Sequence, residues 1–236
     1  MRFPIYGADT RSLKKHLARV TVGGRLARTR GVTEVTALSH FNLELTAGDR
    51  LGLVGHNGSG KTTLLRALAG AYEPDEGQIE VYGRIAALLD IGLGLDPSAT
   101  GLENIRLRAR IAGVSTERIN ETIDDIADFT GLGPFLAMPL KTYSSGMQAR
   151  LAFAVATSVE ADVLLMDEWV SVGDSEFRSM AQNRLEELTE RAGILVLASH
   201  DPSLLKRYCN KAIRFHSGVA SEVVDIADLD DLLAAP

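Results

Sequence analysis

The sequence predicts an α/β fold in which a mostly parallel core sheet is interrupted by a helical insertion. Three observations lead there. Apolar strand-like runs at 50–54, 162–167 and 193–198 are each followed by a loop and a helical pattern. The first of these runs, RLGLV, feeds a glycine-rich loop from Gly55 to Thr62. The stretch from about 101 to 158 is mostly helical and stands outside the strand–helix alternation.

The elements follow in order. Residues 1–31 read as a basic arm: eight basic residues against Asp9 give it +7, which leaves −13 for the rest of a chain of net charge −6. Within it, Leu13, Leu17 and Val20 share one face of a short helix over 11–20, with Lys14, Lys15 and Arg19 around the turn. Such a segment lies against an anionic surface, or is simply a solvated terminus. Gly23-Gly24 ends it. The main domain is expected over 32–236. Residues 32–46 read as strands, with Phe41, Leu43 and Leu45 alternating. Residues 61–70 form a helix ending at Gly70, and 77–89 form strands separated by Gly83. The helical stretch breaks near Gly113, Gly131 and Pro134. Residues 211–224 close the fold as a hairpin around Ser217-Gly218.

Composition narrows the classes. Cys209 is the single cysteine, so an internal disulfide is excluded and a reducing cytoplasm fits. The N-terminus lacks the apolar core of a signal peptide. No apolar run approaches the ~18 residues of a membrane span, so if the protein acts on a membrane substrate another chain must provide the pore.

GHNGSGKT, Gly55 to Thr62, fits the phosphate-loop pattern G-x-x-x-x-G-K-[ST]. Gly55, Gly58 and Gly60 let successive N–H groups face an anion. Lys61 reaches the β- and γ-phosphates, and Thr62 offers a hydroxyl to Mg²⁺. His56, Asn57, Ser59 and Thr63 complete the expected nucleotide-binding set. The bland alternative is a glycine turn between strand and helix; a full match to the pattern that follows an apolar strand and opens a helix speaks against it. Val163 to Glu168, VLLMDE, is an apolar strand ending in two acids. Asp167 suits Mg²⁺, and Glu168 suits a general base for the attacking water.

YSSGMQARLAF, Tyr143 to Phe153, resembles the signature of the ABC ATPases. Ser144 and Gly146 match the usual LSGGQ, while Tyr143, Ser145 and Met147 replace Leu, Gly and Gln. SVGD at 171–174 resembles the D-loop, with Asp174 retained. LASHD, Leu197 to Asp201, resembles the H-loop, placing His200 against the γ-phosphate. Asp90 occupies the place of the usual Q-loop glutamine, and joins Thr62 and Asp167 as a candidate at the metal. Tyr6 is the candidate to stack on adenine, with Phe3 and His40 as alternatives. The resemblance covers nearly the whole chain, residues 32–224 most directly. It implies an ABC-type P-loop NTPase with an antiparallel β subdomain, using ATP and Mg²⁺. It also implies a head-to-tail dimer in which Ser144, Ser145 and Gly146 of one copy face the nucleotide of the other. Lys61, Glu168 and His200 would then be catalytic.

YSSGM, the Gly92-Leu93-Gly94 loop and DEWVSVGD resemble the branch that exports polysaccharides such as O-antigen, capsule, teichoic acid or galactan, although Trp169 is unusual there. That implies a peripheral subunit at the cytoplasmic face of the inner membrane, partnered by a permease that handles a lipid-linked polysaccharide. Some relatives in this branch carry a C-terminal sugar-binding domain. Residues up to Pro236 hold none, so chain-end recognition is expected elsewhere. The alternatives are an ABC transporter for another substrate and a soluble ABC ATPase acting on ribosomes or DNA. The second usually needs paired domains or long coiled-coil insertions, and the acidic body argues against nucleic acid. A small-molecule kinase would leave YSSGM and His200 unexplained.

Overall fold

The computed structural model describes residues 1–5, 25–29, 32–89, 91–92, 94–111, 114–168 and 175–234. The expected helix at 11–20 lies outside them. In chain order the described strands begin with β1 (Arg2–Ile5), β2 (Arg25–Thr29), β3 (Val32–Thr36), β4 (Arg50–Val54) and β5 (Ile85–Leu88). They continue with β6 (Val163–Asp167), β7 (Ile194–Ala198), β8 (Lys211–His216), β9 (Val219–Ala220) and β10 (Val224–Asp225). The helices are α1 (Lys61–Leu68), α2 (Gly101–Ile111), α3 (Thr116–Thr130), α4 (Ser145–Ala156), α5 (Ser175–Arg191), α6 (Pro202–Tyr208) and α7 (Leu229–Ala234). The chain divides into two units.

The first unit comprises Met1–Gly83, Leu165–Trp169 and Gly193–Pro236. Its sheet runs β10-β8-β4-β7-β6. β4 pairs in parallel with β7 on one side and β8 on the other, whereas β10 and β9 pair antiparallel with β8. Strands buried on both faces need near-continuous apolar sequence. Leu51, Leu53, Leu195 and Leu197 accordingly are fully buried. β1 and β2 flank β3 in a separate antiparallel sheet, with Phe3 opposite Val35 and Leu26 opposite Val35 from the other side. Residues 2–5 and 25–29, read from sequence as parts of a basic arm, therefore belong to strands.

Two expected strands are shorter than the pattern implies. Past Thr36, residues 37–46 form no ladder, although burial still alternates through Phe41, Leu43 and Leu45. Phe41 packs instead against Phe215, with ring centroids 5.7 Å apart. Of the stretch 77–89, only Ile85–Leu88 is a strand. The closing hairpin is present: Ser217 and Gly218 turn it with φ of 50° and 80°.

The second unit comprises Arg84–Leu164 and Val170–Ala192. It holds the helical stretch and also α5, which sequence reading had not grouped with it. Its core gathers Ile105, Ile126, Leu136, Leu140, Tyr143 and Leu151. Phe129, Phe153 and Phe177 stack beside them, with Phe153–Phe177 centroids 6.0 Å apart. The guanidinium of Arg184 lies over the Phe129 ring and also pairs with Asp125, which fastens α5 to α3. Gly131 ends α3 in the left-handed region (φ 63°). Pro134 falls in the 3₁₀ turn Gly133–Ala137.

Candidate nucleotide site

β4 delivers the chain into the loop at Val54. Gly55 then adopts φ 146°, and a Cβ there would fall 2.3 Å from the Phe215 carbonyl oxygen and 2.7 Å from Ser59 Oγ. Gly60 adopts φ 119°, and its Cβ would fall 2.7 Å from the Ala37 carbonyl oxygen. Both conformation and space therefore demand glycine at these two positions. Gly60 is also the N-cap of α1 and has no side chain to engage the first-turn amides. Those amides are left to an outside acceptor, and the helix dipole favours an anion there.

Lys61 opens α1 and is buried. Its Nζ donates to the carbonyl oxygens of Gly55 (2.6 Å) and His56 (3.3 Å). Burial pulls its pKa below the usual lysine value, while the nearby charges of Asp167 and Glu168 oppose that pull. Thr62 Oγ1 donates to Asp167 Oδ2 at 2.6 Å. Ser59 Oγ is buried without a hydrogen-bond partner among the described residues.

Glu168 follows β6 with φ 71°, a strained backbone for a non-glycine residue. Its amide donates to the Ala198 carbonyl at 2.8 Å, which latches the ends of β6 and β7 together. Ser199 Oγ donates to Glu168 Oε2 at 3.2 Å. His200 Nε2 lies 3.6 Å from Glu168 Oε1 and 2.9 Å from Asn57 Oδ1. A cavity of about 560 Å³ spans this group, lined by residues 57–63 with Asp167, Glu168 and His200.

Phosphate-loop residues, two strand-end acids and the histidine thus converge on one space. The orphan hydroxyl, the free first-turn amides and the glycine cradle all fit an anionic, phosphate-bearing ligand. One hydroxyl and one carboxylate, Thr62 with Asp167, fit a hard divalent cation whose other ligands are phosphate oxygens and water. No cluster of three His, Cys, Asp or Glu side chains among the described residues would hold a metal alone.

The signature segment belongs to the second unit. Tyr143 is buried and its hydroxyl donates to the Phe135 carbonyl at 2.7 Å. Burial raises its pKa. The start of α2 passes so close that a Cβ at Gly101 would lie 2.5 Å from that hydroxyl. Ser144 is the N-cap of α4, its side chain accepting from the Met147 amide at 3.2 Å. Ser144, Ser145 and Gly146 are exposed.

Tyr6, Asp90 and Asp174 lie outside the described residues, as does Trp169. Of the other aromatic candidates, Phe3 packs edge-on against Tyr72, with centroids 5.2 Å apart. His40 is exposed with φ 48°. Sequence reading missed Ser199, whose signal was a small hydroxyl directly after a buried strand and before His200.

The description "ABC transporter" matches residues 38–171. The chain is 44% identical over 223 residues to the O-antigen export system ATP-binding protein RfbE of Yersinia enterocolitica, covering 94% of this chain and 93% of that one. It is 38% identical to the O-antigen export system ATP-binding protein RfbB of Myxococcus xanthus over 90% of this chain, but spans only 48% of that protein. For the teichoic acids export ATP-binding protein TagH of Bacillus anthracis the figures are 40%, 83% and 35%. Among solved structures, an ATP binding subunit of an ABC transporter superposes with a TM-score of 0.69 at 23% identity, covering 84% of this chain and 87% of that one. A dimeric post-hydrolysis ATP-binding cassette bound to ADP and Pi gives 0.66 at 20% identity, with 87% and 97% covered. Those two likenesses carry the fold; the family match and the sequence relatives carry the family. With the phosphate loop, strand-end acids and histidine assembled as the geometry requires, the chain belongs to the ABC transporter family, among its ATP-hydrolysing subunits.

Proposed function

We propose that this subunit powers export of a lipid-linked polysaccharide across the cytoplasmic membrane. The observation that carries this reading is the 44% identity to an O-antigen export ATP-binding protein across nearly the full length of both chains. In this reading the protein sits peripherally on the cytoplasmic face of the inner membrane beside a permease. No helix of the described residues is long and apolar enough to cross a membrane; in this reading the permease provides the path for the polysaccharide.

Two copies act head to tail. Lys61 and the loop amides hold the β- and γ-phosphates. Thr62 and Asp167 would hold Mg²⁺, which when bound would neutralise charge on the phosphate oxygens; Asp90 is a further candidate at that ion. Glu168 takes a proton from the attacking water, and His200 donates to the γ-phosphate. Tyr6 stacks on adenine, and Asp174 is the D-loop residue. Ser144, Ser145 and Gly146 reach the nucleotide of the other copy. Support for that last role comes from the exposed α4 tip, where the glycine leaves room beside the capping serine.

Replacing Glu168 by Gln keeps the shape and removes the base. Glu168→Gln is expected to bind ATP, to elute as a dimer with Mg·ATP on size exclusion, and to lose turnover by about 10²–10⁴-fold. Wild-type turnover in that variant sinks the base assignment. Loss of the gene product should leave polysaccharide on its lipid carrier inside the membrane. Unchanged surface polysaccharide in such a strain sinks the export reading.

A further inference from the structure

Ser199 has no part in the chemistry assigned above, yet it is a polar side chain buried to 2% exposure beside the site. It leaves the end of β7, and its amide donates to the Leu53 carbonyl of β4 at 3.3 Å. Its backbone is thereby tied to the strand that carries the phosphate loop. Its Oγ accepts the Asp201 amide at 3.1 Å. With that N–H on its oxygen, the hydroxyl proton points elsewhere, and Glu168 Oε2 stands 3.2 Å away.

Glu168 needs a fixed partner. Its backbone is left-handed, its amide is committed to Ala198, and its side chain is 48% exposed. A carboxylate so exposed keeps several rotamers unless something holds it. Its two oxygens are not equivalent: Oε2 receives the Ser199 hydroxyl, while Oε1 faces His200 Nε2 at 3.6 Å, beyond hydrogen-bond reach.

We infer that Ser199 is a positioning residue for hydrolysis: it occupies Oε2 of Glu168 and so dedicates Oε1 to receiving the proton of the attacking water. The inference rests on Glu168 as the base. In that step the water oxygen bonds to the γ-phosphorus, and the bond from that phosphorus to the β,γ-bridging oxygen breaks. The electron pair leaves with ADP, the water proton passes to Oε1, and Ser199 keeps its own proton throughout.

The test is Ser199→Ala in the full chain. The variant removes one hydroxyl and touches no phosphate-loop residue. Its kcat is expected to fall about tenfold, the size of effect that a misplaced reacting group produces. KM for ATP should stay within about twofold, because the hydroxyl serves the base and not the phosphates. In a Glu168→Gln background, Ser199→Ala should change the residual rate by less than about twofold. A kcat within twofold of wild type overturns the inference. So does an equal loss in the Glu168→Gln background, which would place Ser199 in some other role. Independently of turnover, a crystal structure of Ser199→Ala should show Glu168 in a different rotamer or divided between two; a single unchanged rotamer overturns it. If Glu168→Gln itself turns over normally, the base assignment fails, whatever Ser199→Ala does.

Discussion

The phosphate loop and the signature tip are both glycine-containing entrances to a helix, and they differ in who needs the glycine. In the loop the chain itself does: a Cβ at Gly55 would lie 2.3 Å from the Phe215 carbonyl oxygen, and one at Gly60 would lie 2.7 Å from that of Ala37. At the signature tip, Gly146 lies outside the left-handed region, and its Cβ would meet only Ser144 Oγ at 3.9 Å. Glycine within a helix costs up to about 1 kcal/mol against alanine. Among the described residues only Ser144 Oγ comes within 4 Å of such a Cβ, so the protomer's own fold has room for alanine there. The phosphate loop needs its glycines for the protomer's own fold, whereas the role proposed for Gly146 is toward a second copy.

The largest expected effect breaks or upholds that contrast. Gly55→Ala should cost about 3 kcal/mol or more through backbone strain and the carbonyl clash, lowering Tm by about 6–12 °C in a chain of this size. Gly146→Ala should leave Tm unchanged or slightly raised, while on the proposed head-to-tail arrangement ATP turnover falls about tenfold because a methyl group would obstruct the other copy's nucleotide. Calorimetry and a turnover assay on the two variants decide it. A Gly146→Ala protein with full turnover would erase the difference between the two glycines.

A smaller effect sharpens the comparison within the signature itself. Tyr143 differs from its neighbours at 144–146 in being wholly internal. Its hydroxyl satisfies the Phe135 carbonyl, and Gly101 leaves space for it. Tyr143→Phe should therefore cost about 1 kcal/mol, or about 2–4 °C in Tm. Turnover at a temperature where both proteins are folded should not change. A loss of turnover without a loss of stability would move Tyr143 from the core to the nucleotide.

The more legible parts of the molecule are those where local pattern and burial coincide. β4, β6 and β7 are apolar runs because both faces are covered, and each carries a functional side chain at or just beyond its end: the loop after Val54, Asp167-Glu168, and His200. That is how Lys61, Thr62, Asp167, Glu168 and His200 could be singled out and are found lining one cavity. Less legible were features set by non-local pairing. Residues 2–5 and 25–29 look like a basic arm because Arg2, Arg25 and Arg28 mask the strand pattern, and their partner is β3. The alternation at Phe41, Leu43 and Leu45 reports which side is buried, and burial alone does not make a ladder. The Asn57–His200 hydrogen bond joins residues 143 positions apart and has no local signature. Ser199 escaped because a serine after a strand is ordinary until its partner is known.

The smallest effect belongs to the far end of β4, away from the loop, and serves as the control for the whole contrast. Asp49 precedes β4 and is buried, with Lys211 Nζ of β8 at 2.7 Å and the Thr46 amide at 2.8 Å. The Lys211 bond first, and then the Thr46 amide, hold its carboxyl below the ordinary aspartate value of 3.8. A depressed folded pKa means the stabilisation is fully present above 3.8 and fades as pH falls through the lower folded value. Lys211 is 40% exposed, so solvent screens the pair and its worth is about 1 kcal/mol. Asp49→Asn should then lower Tm by about 2–4 °C at pH 7, and the gap to wild type should close on acidification below about pH 4. KM for ATP should stay the same, since the change is at the opposite end of the strand from Gly55. A Tm gap that persists undiminished in acid would show that the carboxylate's charge is not what secures β4 to β8.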